Sequence, residues 1–178
     1  MQILTYPNPL LRQKAKPVEE LNGETRAKAM QMLELMYEAK GVGLAAPQVG
    51  WLSRVVVLDV EGRKEGNRVF INPALLEESE EDTTEEGCLS FPGINTKITR
   101  AKRVKVAAYT LDGERIEIQA EGIHARAWQH EIDHLEGRLI VDRMTTLARL
   151  ANSRKLKELE HEFKASQEQT AAPGRRAR

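Results

Sequence analysis

Apolar residues recur at two different spacings along this chain. Between Gly23 and Lys40, Ala29, Met30, Leu33, Met36 and Tyr37 fall three or four residues apart, the period of a helix with one buried face. "GVG", Gly41 to Gly43, stands where such a helix should stop, because glycine accepts the left-handed geometry of a helix C-terminus. The period then shortens. "RVVVLDV" (Arg54–Val60), "RVFINP" (Arg68–Pro73) and "VKVAAYT" (Val104–Thr110) are short and rich in β-branched residues, which predicts strands. Asp112-Gly113 followed by the alternating "ERIEIQAEG" makes the last of these one arm of a hairpin. Helical character returns in "IHARAWQHEIDHLEG", which lacks proline and should end at Gly137. From Thr145 to Phe163, Leu147, Leu150, Leu156, Leu159 and Phe163 recur among charges, predicting a C-terminal amphipathic helix that lays one face on the domain. Strands with a helix in their midst, and no regular βαβ alternation, predict an α+β fold. In that fold short antiparallel strands surround the central helix, flanked by the N-terminal and C-terminal helices.

Composition narrows the picture without directing it. A chain of 178 residues suits one domain with a core of its own, expected over residues 1–164. "ASQEQTAAPGRRAR", Ala165 to Arg178, is polar and ends in arginines, and reads as a disordered tail. Lys plus Arg and Asp plus Glu each number 27, so no global charge advertises nucleic acid or a membrane as partner. The start, "MQILTYPNPLL", lacks the pattern of a secretory signal and no segment approaches a membrane span, so a soluble, cytoplasmic protein is expected. Cys88 is the single cysteine, which excludes an internal disulfide and fits a reducing compartment.

Chemistry concentrates in "HEIDH". On a helix, residues i and i+4 share a face about 5–6 Å apart at Cβ, so His130 and His134 can converge on one ion. Glu131, beside the first of them, can reach water at that ion and is the candidate general base. His124 and His161 have no partner at ligand spacing and read as surface residues. Catalytic sites of this kind use three protein ligands and keep a fourth position open. One zinc protease clan supplies the third from a histidine where this chain has Ile140. Glu158 or Glu160 could act from a following helix, but "RKLKELEHEFK" reads as a solvated face with i,i+4 pairs. Cys88, in "EEGCLSFPG", sits in a stretch suited to a loop or strand edge, and a thiolate is a stronger ligand for zinc or iron than a carboxylate. We therefore favour Cys88 as the third ligand over an inert buried thiol. "GVGLAAPQVG", Gly41 to Gly50, allows close backbone approach to a ligand. In a hydrolase its Gln48 amide, with a backbone N–H, would form an oxyanion hole.

"GVGLAAPQVG", "EEGCLS" and "QHEIDHLEG", in this order, resemble the three signature motifs of peptide deformylases. The likeness spans about Met1 to Leu159, including "ILTYPNPLLRQKA" and "FINPALL". It implies a metal-dependent hydrolase that removes the formyl group from N-terminal formylmethionine of nascent polypeptides and releases formate. Carried over by position, Cys88, His130 and His134 bind the metal, Glu131 is the acid/base, and Gln48 with the Leu89 N–H stabilises the oxyanion. Gly41, Val42 and Gly43 would pair with the substrate backbone, and the methionine would enter a pocket near Val42, Glu86 and Arg126. The implied ion is ferrous iron, with zinc, nickel and cobalt as alternatives. Asn95 and Arg126 depart from residues common in the family and bear on specificity rather than chemistry. Two rival readings are a zinc endopeptidase using Glu158 or Glu160, and a non-catalytic, metal-stabilised, ribosome-associated domain. A structural site closes its fourth position with a protein ligand, so Glu131 and Gln48 together speak against the second rival. The basic end, Arg175, Arg176 and Arg178, could meet the ribosome or only keep the tail solvated, and monomer and dimer both stay open.

Overall fold

The computed structural model describes residues 1–171. Its centre is a five-stranded antiparallel sheet in which each strand neighbours the next: β1 (Gly43–Ala45), β2 (Val55–Leu58), β3 (Val69–Gly87), β4 (Asn95–Tyr109) and β5 (Arg115–Glu121). The helices are α1 (Gly23–Glu38), α2 (Ile123–Leu135), α3 (Ile140–Arg143), α4 (Thr146–Ala151) and α5 (Ser153–Ala171). Every residue of β2 is buried, because helices cover both faces of this part of the sheet. Val55 and Val57 pack with α1 through Leu33 and Met36, while Val56 and Leu58 pack with α2 through Trp128 and Ile132. A strand buried on both faces shows a continuous apolar run rather than alternation, as "VVVL" does.

α1 starts on Asn22, whose side chain accepts from the Thr25 N–H at 2.9 Å, an N-cap that satisfies one orphan donor. Its end differs from the expected glycine stop. The left-handed residue is Lys40, at φ 56°, and Gly41 N–H donates to Met36 O while Lys40 N–H donates to Tyr37 O. This is a Schellman closure with lysine in the position glycine usually holds, which leaves Gly43 free to enter β1. α2 does close on its glycine: Gly137 has φ 71°, and a Cβ there would lie 2.4 Å from the Arg12 carbonyl oxygen. Conformation and crowding both require glycine at that point.

Two expectations need correction. β3 and β4 form a hairpin of 19 and 15 residues, far longer than the strands read from the apolar runs. The acidic stretch "EESEEDTTEE" is strand, with basic residues opposite it in the register: Glu77 faces Lys105, whose Nζ lies 3.9 Å from its Oε1, and Glu85 faces Lys97. The C-terminal helix is not one element from Thr145 to Phe163. It breaks at Asn152, whose Nδ2 donates to Ala148 O at 2.9 Å. Leu156 and Leu159 are buried against Phe91, Ile94 and Leu139, but Leu147 and Leu150 are 76% and 69% exposed and join no core cluster among the described residues. α5 runs on through Ala171, so the stretch expected to be disordered from Ala165 begins as helix. The rest of it, with Arg175, Arg176 and Arg178, lies outside the described residues.

Candidate metal and catalytic site

α2 lies at the centre of the molecule, and all its residues from Ala125 to Leu135 are buried. Polar groups at such positions must find partners or a function. His130 and His134 meet edge to face with ring centroids 5.0 Å apart, and their Nε2 atoms are 3.3 Å apart. Cys88 follows the end of β3 in a turn closed by Phe91 N–H to Cys88 O at 2.9 Å. This brings its Sγ to 3.3 Å from His134 Nε2, and the three ligand atoms all lie within 4.8 Å of one another. Four-coordinate bond lengths of about 2.0–2.1 Å to nitrogen and 2.3 Å to sulfur put ligand atoms roughly 3.3–3.6 Å apart. The donor set therefore fits a divalent ion. Ile140 is a core residue, 2% exposed. Glu158 is engaged by Arg154 and Lys155 and Glu160 accepts from Tyr6, so neither competes for the third position. His124 is half-buried opposite Glu61, and His161 is exposed.

His130 Nδ1 lies 2.6 Å from Glu86 Oε1, which fixes the ring and would leave Nε2 available to a metal ion. Burial opposes a proton on His130, but Cys88 and Glu86 outweigh it and hold its pKa well above the usual value. At His134 burial, reinforced by His130, pushes it well below. A cation held by these nitrogens would take the place of the proton that the neighbouring anions favour.

Glu131 is 4% exposed, and its Oε2 has no partner among the described residues. Burial without a cation at hydrogen-bonding distance raises its pKa to about 7, where a carboxyl can both take and give a proton at neutral pH. β1 runs directly against it: a Cβ on Gly43 would lie 2.4 Å from Glu131 Oε1. The Gln48 amide is oriented from both ends. Its Oε1 accepts from Ala45 N–H at 2.8 Å, and its Nε2 faces Ser90 Oγ at 3.1 Å and Cys88 Sγ at 3.7 Å. The Leu89 N–H, one residue past Cys88, donates to no acceptor among the described residues.

These groups border a cavity of about 480 Å³ that Gly41, Val42, Gly43, Glu86 and Arg126 also line. Sequence reasoning made Glu86 and Arg126 substrate contacts, yet their charged groups face one another and the protein. Arg126 donates to Glu86 Oε2 at 3.0 Å and to the carbonyls of Ile98 and Asp82. Glu86 also accepts from Arg100 at 2.7 and 2.8 Å. Burial would raise the Glu86 pKa, but Arg100 and His130 outweigh it and hold the carboxyl far below its usual range. Arg100, Ser90 and Asp133 escaped the sequence reading. Only Asp133 carried a signal, as a charge inside the histidine pair of the helix expected at the centre of the fold.

The family model described as polypeptide deformylase matches residues 1–150. A peptide deformylase of Chromobacterium violaceum is 46% identical over 160 residues, covering 90% of this chain and 96% of that protein. One of Thermodesulfovibrio yellowstonii is 43% identical over 159 residues, covering 88% and 96%. The solved structure of a peptide deformylase from Legionella pneumophila matches with a TM-score of 0.84 at 40% identity, over 97% of this chain and 98% of that one.

Proposed function

The chain belongs to the polypeptide deformylase family, a hydrolase that removes the formyl group from N-terminal formylmethionine, and we propose the following roles for its residues. Cys88, His130 and His134 hold one divalent ion. When bound, the ion supplies Lewis acidity toward the formyl oxygen and makes water a stronger acid. Glu131 takes a proton from the attacking water and returns it to the leaving amine, so formate and a free N-terminus result. Gln48 Nε2 and the Leu89 N–H donate to the oxygen that becomes negative, and loss of such a donor typically costs about 2.7–4 kcal/mol. Among the described residues β1 pairs with β2 alone, and Gly41 to Gly43 take the substrate backbone on the other side, a mode that gives affinity without reading much sequence. The methionine side chain enters the cavity beside Val42, with Glu86 and Arg126 forming its back wall rather than gripping it. The observation that supports this most is the meeting of three ligand atoms within 4.8 Å beside a buried carboxylate oxygen with no hydrogen-bond partner among the described residues.

We further propose ferrous iron as the working ion. A thiolate among the ligands weakens the ion as a Lewis acid relative to three neutral imidazoles, which favours iron over zinc. Iron-loaded protein should turn over faster than zinc-loaded protein, and equal rates would overturn this choice. The compartment is the cytoplasm, where nascent chains emerge. Anaerobically purified protein incubated with a formyl-Met peptide should release formate stoichiometrically with free amine. Release should stop with a chelator and return with Fe²⁺; formate production indifferent to the chelator would refute the assignment.

A further inference from the structure

We propose that Arg143, on the short helix α3, is a positioning residue for His130, acting through Asp133, Arg100 and Glu86. The inference rests on the reading of His130 as a metal ligand. The links are continuous. Arg143 forks onto Asp133, Nε to Oδ2 at 3.0 Å and Nη2 to Oδ1 at 2.6 Å. Asp133 Oδ2 also accepts from Arg100 Nη1 at 2.8 Å. Arg100 turns its other edge to Glu86, Nη2 to Oε1 at 2.7 Å and Nε to Oε2 at 2.8 Å. Glu86 Oε1 is the atom 2.6 Å from His130 Nδ1. Side-chain exposure along this path falls from 39% at Arg143 to 8% at Asp133, 2% at Arg100 and 6% at Glu86.

The division of Arg100 between two carboxylates is what makes Arg143 matter. A buried carboxylate short of donors is costly. Asp133 needs only one N–H from Arg100 because Arg143 supplies two, so Arg100 keeps its paired edge for Glu86. Without the Arg143 fork, Asp133 retains Arg100 Nη1 and only the distant Arg138, at 4.0 Å. Arg100 is then drawn toward Asp133, away from the oxygen that orients His130. Arg126 does not compensate, since it holds Glu86 by Oε2 and leaves Oε1 unfixed. His130 loses its orienting acceptor and the ion leaves faster.

The test follows release of Co²⁺ from loaded full-length protein to an excess of chelator, read by the thiolate-to-cobalt absorption. Arg143→Met should release the ion about threefold to tenfold faster, below the 10–100-fold that loss of a direct outer-shell partner typically costs. Arg143→Lys, which keeps the charge without the fork, should fall between it and the parent. In a Glu86→Gln background Arg143→Met should add nothing, because the path is already cut. Parental release from Arg143→Met, or an equal acceleration in both backgrounds, would overturn the proposal, the second outcome marking general loosening of the fold. Absence of the thiolate-to-cobalt band in the parent protein would instead overturn the ligand assignment beneath it.

Discussion

Alanine at Gly43 would bring a methyl group against the proposed proton carrier. Its Cβ would lie 2.4 Å from Glu131 Oε1, 2.9 Å from Glu131 Cδ and 2.9 Å from Leu58 Cδ1. An unstrained carbon–oxygen contact is about 3.3–3.6 Å, so the carboxylate must retreat by about 1 Å. Little opposes the retreat, since Glu131 Oε2 has no partner among the described residues and the Leu58 methyl can turn. Stability should therefore change by no more than about 1 kcal/mol, a strand tolerating alanine better than glycine. The rate should not survive as well. Misplacement by about 1 Å can cost roughly 100-fold, equivalent to about 2.7 kcal/mol of barrier. Steady-state formate release by Gly43→Ala should show this loss in kcat with a much smaller change in KM, because the backbone edge of β1 is kept. Metal content and melting temperature, measured on the same sample, should match the parent. A Gly43→Ala protein within twofold of the parental kcat would refute the placement of Glu131 as proton carrier.

Cys88→Ala should abolish stoichiometric metal binding and activity, whereas Glu158→Gln should leave both intact; the reverse pattern, seen by elemental analysis and formate assay, would revive the endopeptidase reading. Glu86 and Asp133 both have folded pKa values below their ordinary ones, so the stability they contribute is present above their unfolded values, about 4, and is lost as pH falls through the folded values. Melting temperature should accordingly drop steadily below about pH 4, and a flat profile into that range would contradict the burial of both acids as ions. Leu147→Ser and Leu150→Ser should each shift stability by less than about 0.5 kcal/mol in urea melts. Leu159→Ala, which empties a buried position, should cost about 2–5 kcal/mol, and equal effects at the two sites would contradict the break at Asn152.

What could be read from the residues was whatever depends on local spacing. The 3.6-residue period located α1, the proline-free stretch ending at Gly137 located α2, and the i,i+4 relation of His130 and His134 was enough to place two nitrogens together. The β3–β4 hairpin was illegible because residues 74–85 of β3 bury nothing fully, and the positions that alternate inward at the start of β4, Thr96, Ile98 and Arg100, are mostly polar and form no apolar pattern; Glu77 and Glu85 make sense as strand residues only once Lys105 and Lys97 stand opposite. The same register decides that Arg100 reaches both Glu86 and Asp133, a pairing no spacing along the chain can reveal. Leu147 and Leu150 misled for the opposite reason: their spacing is helical, but Asn152 ends the turn before the helix reaches the face that buries Leu156 and Leu159. Lys40 shows a softer failure, in which a helix closes in the left-handed region without glycine and the glycines beside it serve the cavity.

The central claim, that Glu131 carries the proton at a metal held by Cys88, His130 and His134, is tested most directly by Glu131→Gln, nearly isosteric but unable to accept the proton. With formate release and bound metal measured on one preparation, the variant should keep a full equivalent of metal while its kcat falls by at least about 100-fold, the low end of general acid–base contributions. Undiminished formate from the metal-loaded variant would contradict the account.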